Sequence, residues 1–391
     1  MLTAIVLTGQ PETAKTLEGL AARSGFVSIC KVLDAKAGPY AVVRAVNNND
    51  CDLLFCDSLD GELAPDLVMT ISVQCPITAM IGLVSRPQSG TQRHADAAGV
   101  EMLFLSGVTQ ESFELAIDRA IHRLPGGMPE NLMVFIPAKA GSGCTTVALN
   151  TARSLRTCLG QRVLLIEGDL RSGILATLLN CTPRCSLTEV LLKAGRLDSS
   201  LWAESVIREE EIDLLPRLPF EERTGLPWVP YHQLLRFLKS RYDSILVDLP
   251  EVFEDGRTEF LRHAHRVYLV SSPELPALRL AQERCEELDE QGVEAERVGV
   301  IVNRWRKNDL KPSDLQQVLD RNVAGVFPEE WQTVRDASLK GGFVRPETEL
   351  GKAFLEFTRH LAQNTGATPS GAAQPKPRLP FWKRQGTGPT S

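Results

Sequence analysis

Short apolar runs of about four to six residues alternate with longer amphipathic stretches along most of the chain. This alternation is typical of parallel strands joined by crossover helices, so it predicts an α/β fold. The first set of runs predicts a small sheet closed by a helix at about residues 110–123. Its strand candidates are residues 4–7, 52–56, 77–83 and 102–105. We therefore predict a first domain over residues 1–125.

A second set of apolar runs begins after residues 124–130, a segment that concentrates proline and glycine. No helix or strand continues easily through such a segment, so we place a linker at residues 126–130 and a second domain at 131–362. The strand candidates of the second domain are residues 132–136, 163–166, 213–215, 245–247, 267–270 and 298–302. They predict a mainly parallel sheet of at least six strands.

The composition agrees with a globular protein of two domains, because 391 residues exceed what one core usually holds. The chain is 43% hydrophobic and 24% charged, which excludes global disorder, a fibrous repeat and an integral membrane protein. A net charge of -6 argues against a nucleic-acid-binding surface as the main feature. Nine cysteines without zinc-site spacing, and an N-terminus without a basic leader, predict a cytoplasmic protein.

The segment after the first strand of the second domain carries the strongest chemical signal. It consists of Lys139, Ala140, Gly141, Ser142, Gly143, Cys144, Thr145 and Thr146, and is called the phosphate loop below. Its small residues let backbone N–H groups curl around a phosphate, and the next helix brings its positive end to the same point. The alternative is a glycine-rich turn without a ligand.

Cys144 stands where a P-loop usually has a lysine. A neutral thiol does not neutralise phosphate charge, so we expect transition-state stabilisation to be weaker by about a few kcal/mol. Backbone donors and magnesium remain for binding. Nucleotide binding with weak or absent hydrolysis is therefore the expected chemistry.

Acidic residues follow two buried strands of the second domain. Asp169 comes shortly after residues 163–166, and Asp248 directly after 245–247. In a parallel sheet both carboxylates emerge at the edge that carries the phosphate loop. We expect Thr145 to supply a hydroxyl ligand to magnesium, Asp248 to hold a coordinating water, and Asp169 to orient the attacking water or lie beside the metal. Each aspartate alone is also typical of a turn or helix cap.

The phosphate loop resembles the deviant Walker A motif of the ParA/MinD ATPases, and Lys139 falls on the position of their signature lysine. Asp169 matches the second Asp of the next motif of that family, and Asp248 its Walker B. The resemblance covers about residues 131–362. It implies ATP and Mg²⁺ as cofactors. It also implies a homodimer in which Lys139 reaches the partner's phosphates, with Lys139 and Asp169 as catalytic residues.

Two further segments resemble base-contacting parts of that family. Asn303 and Arg304 resemble the segment that contacts adenine, and the stretch around Pro328 resembles a nearby loop that lines the base. Three positions depart from the family pattern: Ala140 replaces the first motif glycine, Cys144 the lysine, and Glu167 an aspartate.

Within that family, a receiver-like domain followed by an ATPase domain without the second P-loop lysine is the arrangement of the CpaE/TadZ proteins. The resemblance implies a positioning or assembly factor for a Tad (Flp-type) pilus or a related secretion machine. Its partners would be pilus assembly or secretion ATPases and membrane platform components, at a cell pole and peripheral to the inner membrane. The alternative is an active MinD/ParA-like ATPase in cell-pole or DNA positioning.

The first domain resembles a response-regulator receiver, a flavodoxin-like fold. Asp57 ends a buried strand, as the phosphoacceptor of a receiver does. A receiver also holds magnesium with an acidic pair, and here that site reads Thr8, Gly9 and Gln10. The usual lysine is missing after the last strand, so phosphoryl transfer has no charge compensation. We expect Asp57 to be a turn or capping residue, and the domain to be a docking or dimerisation surface.

Residues 363–391 are rich in Gly, Ala, Pro, Thr, Ser and Gln, a composition that predicts disorder. Residues 376–384 add four basic and two aromatic side chains without an acid. Two interpretations stay open: a solubilising terminus, or a weak, salt-sensitive contact with anionic lipid or an acidic partner.

Overall fold

The computed structural model describes residues 1–57, 64–85, 99–124, 128–218, 226–252, 256 and 258–364. The chain divides into two compact units, Met1–Gly127 and Met128–Ser391. The predicted tail from residue 365 onward, and residues 126–127 of the predicted linker, lie outside the described residues. No helix within the described ranges has the length and apolar character needed to cross a bilayer.

The first unit contains a five-stranded parallel sheet. Its strands are β1 (Leu2–Leu7), β2 (Val27–Leu33), β3 (Leu53–Asp57), β4 (Ala79–Val84) and β5 (Glu101–Phe104), and its described helices are α1 (Pro11–Ser24), α2 (Pro39–Asn48), α3 (Pro65–Gln74) and α4 (Gln110–His122). The strand order β2-β1-β3-β4-β5 is that of flavodoxin-like doubly wound folds. Thr109 begins α4 with a capping box that it shares with Ser112.

The edge strand β2 was not among the predicted strands. Its residues are mostly exposed or half-buried, whereas β1 beside it is almost wholly buried. An edge strand with water on one side carries no continuous apolar run, so the pattern that predicted the central strands did not extend to β2.

The second unit contains an eight-stranded sheet. Its strands are β6 (Leu132–Pro137), β7 (Val163–Glu167), β8 (Ile207–Glu209), β9 (Ile212–Leu215), β10 (Ser244–Asp248), β11 (Arg266–Ser271), β12 (Val298–Trp305) and β13 (Asn322–Pro328). Its described helices are α5 (Cys144–Leu159), α6 (Leu175–Leu179), α7 (Leu187–Leu192), α8 (Ser199–Ser205), α9 (Trp228–Leu238), α10 (Thr258–His263), α11 (Leu275–Glu290), α12 (Pro312–Leu319), α13 (Trp331–Leu339) and α14 (Glu349–Asn364).

The strand order of this sheet is β13-β12-β11-β6-β10-β7-β9-β8, and all neighbours are parallel except the pair β8 and β9. The prediction of an α/β fold with a mainly parallel sheet is confirmed. Strands β8 and β13 lie at the two edges and lack an apolar run, which is why they were not predicted. The last helix, α14, continues to Asn364, two residues into the segment that we expected to be disordered.

The sheet order places the phosphate loop at a topological switch point. Strand β6 lies between β11 and β10, so the chain leaves it toward β7 on one side and later returns to β11 on the other. Ligands of open α/β sheets bind in the crevice at such a point, outside the carboxyl ends of the strands. The phosphate loop follows β6 directly, and α5 begins at Cys144.

Candidate functional site

The phosphate loop has the backbone of a curled, anion-accepting turn. Gly141 and Gly143 have φ values of +81° and +88°, in the left-handed region that favours glycine. Gly143 is also the residue that precedes α5, so the N-terminal N–H groups of that helix face the same loop. Sixteen residues later α5 ends before Gly160, another left-handed glycine. The local sequence therefore determines both ends of this helix.

Asn303 supports the phosphate loop from β12. Its Nδ2 atom donates a hydrogen bond of 2.8 Å to the backbone oxygen of Ser142, and both residues are buried. A Cβ atom on Gly143 would overlap the Asn303 amide, so this glycine is required by space as well as by its φ. The Ser142 hydroxyl is buried and has no hydrogen-bond partner among the described residues. A polar atom in that state is suited to accept a ligand.

Thr145 and Asp248 form the central polar pair of the site. Thr145 Oγ1 donates to Asp248 Oδ2 over 2.5 Å. Burial raises the pKa of Asp248 to about 6, and hydrogen bonds from Thr145 and Cys144 partly counter this shift. Burial and the neighbouring Asp248 raise the pKa of the Cys144 thiol well above its ordinary value, so the thiol is neutral. The position of the missing lysine is thus occupied by an uncharged, buried group.

Glu167 lies beside Asp248 in the sheet register but performs a structural task. Its side chain is fully buried and accepts hydrogen bonds from the backbone N–H groups of Leu175 (2.7 Å) and Arg217 (2.9 Å). Burial raises the pKa of Glu167 to about 7, and the two backbone hydrogen bonds only partly offset it. A Cβ on Gly173 would overlap this carboxylate, so the loop wraps closely around it. Glu167 therefore holds the segment that carries Asp169.

Asp169 is half-buried and stabilises its own turn. Its Oδ1 atom accepts hydrogen bonds from the backbone N–H groups of Arg171 (2.9 Å) and Ser172 (2.8 Å). The negative charge of Asp169 contributes to the raised pKa of Asp248, which places the two carboxylates within electrostatic range. The structure thus brings Asp169, Asp248 and Thr145 to one edge of the sheet.

A carboxylate that the sequence did not indicate contacts the phosphate loop. Glu251 follows β10, and its Oε2 atom accepts a 2.8 Å hydrogen bond from the backbone N–H of Ala140. Lys139 is half-buried, and within the described ranges its ammonium group forms no ion pair. The backbone N–H of Ala140 thus donates to the Glu251 carboxylate, an acceptor chemically similar to a phosphate oxygen.

The remaining residues predicted from resemblance lie around the ends of β12 and β13. Arg304 is exposed and has a left-handed backbone with φ of +60°. Pro328 ends β13 and is half-buried. Next to it, Arg306 forms a bidentate ion pair with Glu329, which ties the ends of the two strands together.

In the first unit, Asp57 is engaged by the residues at the end of β1. Its Oδ2 atom accepts hydrogen bonds from Thr8 Oγ1 (2.6 Å) and from the backbone N–H of Gly9 (2.9 Å). Uncharged donors thus bind the carboxylate at the position where a receiver would present its acidic pair to magnesium.

Comparisons with known proteins find relatives of about half of this chain. The chain is 26% identical over 208 residues to the septum site-determining protein MinD of Thermotoga maritima, an alignment that spans 51% of this chain and 75% of that protein. About half of the chain is therefore homologous to MinD septum site-determining proteins. No family model matches it.

Two solved structures show the same fold as the MinD/ParA-like part of the chain. A ParA family ATPase from Chlorobium tepidum has a TM-score of 0.55 and 24% identity, and covers 59% of this chain and 99% of its own. A chain of the MinC:MinD cell division protein complex from Aquifex aeolicus has a TM-score of 0.52 and 23% identity. It covers 64% of this chain and 100% of its own length. The α/β architecture of MinD/ParA proteins is therefore present here.

Proposed function

We propose that the second unit binds ATP with Mg²⁺ at its phosphate loop and forms an ATP-dependent homodimer with weak or absent hydrolysis. The observation that carries the proposal is a curled loop with left-handed Gly141 and Gly143 before α5, in which the buried, neutral Cys144 stands at the position of the usual cation. Backbone N–H groups bind phosphate without a lysine, whereas charge that develops in phosphoryl transfer requires a cation.

The donor set suits a magnesium-bound triphosphate. Thr145 Oγ1 and the Asp248 carboxylate already lie within hydrogen-bond distance, and hard oxygen ligands of this kind are what Mg²⁺ prefers. The ion would neutralise Asp248 and supply the positive charge that this loop lacks. Asp169 would hold a water near the same point. The resemblance to the ParA/MinD ATPases implies that Asn303, Arg304 and Pro328 would surround the base.

The Glu251 carboxylate makes the free energy of nucleotide binding less favourable. This carboxylate has to leave the Ala140 amide before a phosphate oxygen takes that donor, and like charges at the loop repel each other. We therefore expect magnesium to be required for nucleotide affinity, because the ion offsets this repulsion.

Three exposed apolar side chains support a dimer through the edge that carries the site. Val252, Leu275 and Trp331 are 69%, 77% and 65% exposed, and they follow β10, β11 and β13 at the carboxyl ends of the strands. Exposed apolar groups around a polar cleft are typical of an association surface. Lys139, at the same edge, would then reach the phosphates of the partner.

At the level of the cell, we propose a positioning or assembly role in a Tad (Flp-type) pilus or a related secretion machine. The support is the resemblance to CpaE/TadZ proteins, which combine a flavodoxin-like unit with an ATPase unit that lacks the second lysine. The first unit would present the docking surface for pilus or secretion components, at a pole and peripheral to the inner membrane. Reintroducing the gene into a strain from which it has been deleted should restore surface pili. Failure to restore them would contradict this role.

A second candidate function is an active MinD/ParA-like ATPase that positions cell-pole components or DNA. The homology to MinD favours it, and so do the half-buried Asp169 and a Lys139 that has no ion pair within the described residues. Steady-state phosphate release by the purified dimer separates the two. Turnover at the rate of an ordinary MinD/ParA enzyme would favour this candidate.

Calorimetry with ATP, ADP and GTP in the presence of Mg²⁺ tests the binding proposal. We expect ATP to bind to the wild type, and Asp248→Ala to lose at least about tenfold in affinity because the metal loses its carboxylate. Asp336→Ala, which removes an exposed carboxylate on α13, is the matched control and should bind normally. Absence of heat with all three nucleotides would refute nucleotide binding.

A further inference from the structure

A cluster of metal-ligating side chains, none of them in the phosphate loop, joins two helices of the second unit. His232 is on α9, and Glu259 and His263 are on α10. Glu259 Oε1 is 2.9 Å from His232 Nδ1 and 2.9 Å from His263 Nε2. The two imidazole rings have centroids 5.8 Å apart and meet edge to face. The cluster shares no residue with the proposed nucleotide site.

The burial of this cluster is unusual for charged groups. Glu259 is 0% exposed and His232 is 4% exposed. A buried carboxylate is costly unless a positive charge or a metal compensates it. Arg262 contributes one cation, with its Nη1 atom 3.5 Å from Glu259 Oε2. The two imidazoles face the other carboxylate oxygen, Oε1. A second positive charge would be stabilised at this oxygen.

The geometry suits a small transition-metal ion. The three donor atoms lie within 4.8 Å of one another. Ligands of a tetrahedral Zn²⁺ ion with bonds of about 2.0–2.1 Å are separated by about 3.3 Å, so the observed 2.9 Å contacts need to open by only a few tenths of an ångström. Two histidines and one glutamate are also a known donor set for zinc.

We propose that His232, Glu259 and His263 are ligands of a Zn²⁺ site. The spacing of Glu259 and His263, four residues apart, places both on one face of α10, and His232 supplies the third ligand from α9. On binding, the carboxylate oxygen and the two nitrogens turn from each other toward the ion. Each ring then carries its proton on the nitrogen that does not bind the metal.

The surrounding side chains fit the role of an outer shell. Arg262 stays paired with Glu259 Oε2 while Oε1 binds the ion, which fixes the orientation of the carboxylate. The Trp228 ring packs edge to face on His232 with centroids 5.6 Å apart and limits the rotation of that imidazole. The ion would join α9 and α10, the helices that precede and follow β10, whose last residue is Asp248.

The test is a titration of the full-length chain, first stripped with chelator and kept reduced, with Zn²⁺ and with Co²⁺ as a spectroscopic substitute. We expect one equivalent to bind, and Co²⁺ to give visible d–d bands without thiolate charge-transfer bands. His263→Gln and Glu259→Gln should each weaken binding at least about tenfold. His360→Gln, a histidine on α14 whose ring bonds Glu356 O, is the control and should bind like the wild type.

Each alternative outcome is informative. Substoichiometric binding by the wild type, or a thiolate spectrum that assigns the metal to the cysteines, would overturn the proposal. Unchanged affinity in His263→Gln would also overturn it. His263 has a side chain that is 15% exposed, so its substitution is the less disruptive one. Circular dichroism of each stripped variant verifies that the fold is intact before metal is added.

Discussion

Gly143 is the residue on which the phosphate loop depends most. Its φ of +88° is unfavourable for any residue with a Cβ, and that Cβ would also overlap the Asn303 amide. We expect Gly143→Ala to displace the loop from Asn303 and to reduce ATP affinity at least about tenfold, because several backbone donors lose their alignment together. Calorimetry with Mg-ATP measures the effect.

Gly160 provides the matched control at the other end of α5. It also has a left-handed backbone, with φ of +67°, but no atom lies within 4 Å of a Cβ placed there. Gly160→Ala should therefore cost about 1 kcal/mol of stability and leave ATP affinity unchanged. Equal affinity of both variants would show that the curl of the loop does not determine binding.

The raised pKa of Glu167 leads us to expect that stability without nucleotide depends on pH. Its folded-state pKa of about 7 lies above the ordinary value of 4.5, so between these two pH values the folded state binds more protons than the unfolded state. The free energy of unfolding that this group contributes therefore falls as pH rises from about 4.5 to 7. The full loss corresponds to roughly 3 kcal/mol at 1.36 kcal/mol for each pKa unit.

The substitution Glu167→Gln removes this titration while keeping the side-chain volume. We expect the difference in unfolding free energy, wild type minus variant, to decrease between pH 5 and pH 8. Asp248, whose pKa is also raised, titrates in both proteins. Urea unfolding at a series of pH values provides the measurement, and a difference that does not vary with pH would show that burial does not raise this pKa.

At the scale of elements, Tyr242 joins a helix and two strands. Its hydroxyl accepts a 2.6 Å hydrogen bond from Trp202 Nε1 on α8 and donates one of 2.8 Å to Asp213 Oδ2 on β9, next to the start of β10. Tyr242→Phe leaves a buried N–H and a carboxylate oxygen without this partner. We expect a loss of about 1–3 kcal/mol in the free energy of unfolding, measured by urea titration.

Tyr268 on β11 is the matched control for that loss. Its ring packs on Phe135 and Phe357, but its hydroxyl forms no hydrogen bond within the described part of the chain. Tyr268→Phe keeps the ring contacts and removes no hydrogen bond, so its stability should change by less than about 0.5 kcal/mol. Similar losses in both variants would mean that the Tyr242 hydroxyl does not hold these elements together.

The burial of a strand decides how well the apolar-run pattern predicts it. The central strands β6, β7 and β10 are buried on both faces and appear as continuous apolar runs. The edge strands β2, β8 and β13 are largely half-buried or exposed, and the apolar-run pattern did not identify them. Their pairing depends on backbone hydrogen bonds to a neighbour, which place few constraints on side-chain type.

At the scale of the whole molecule, the proposed dimer predicts which variants still dimerise with Mg-ATP and which do not. Cys144→Ala should dimerise with Mg-ATP like the wild type, because the buried thiol is neutral and contributes no charge to the site. Lys139→Ala and Asp248→Ala should stay monomeric, since one loses the cation that reaches the partner and the other the magnesium site. Sedimentation velocity with and without Mg-ATP measures this, and equal dimer content in all four proteins would contradict it.

Features that depend on neighbouring residues follow directly from the amino-acid sequence. These are the alternation of strands and helices, the glycines of the phosphate loop, and the acidic residue that ends β10. Each follows from local backbone preferences and from the period of apolar positions, which adjacent residues in the chain specify.

Which distant side chains meet depends instead on the fold of the whole unit. Glu251 contacts an amide 111 residues away, and Asn303 a carbonyl 161 residues away. The convergence of His232 with Glu259 and His263 depends on how α9 packs beside α10. Such contacts follow from strand order and helix packing, and these minimise the free energy of the whole fold rather than of any one segment.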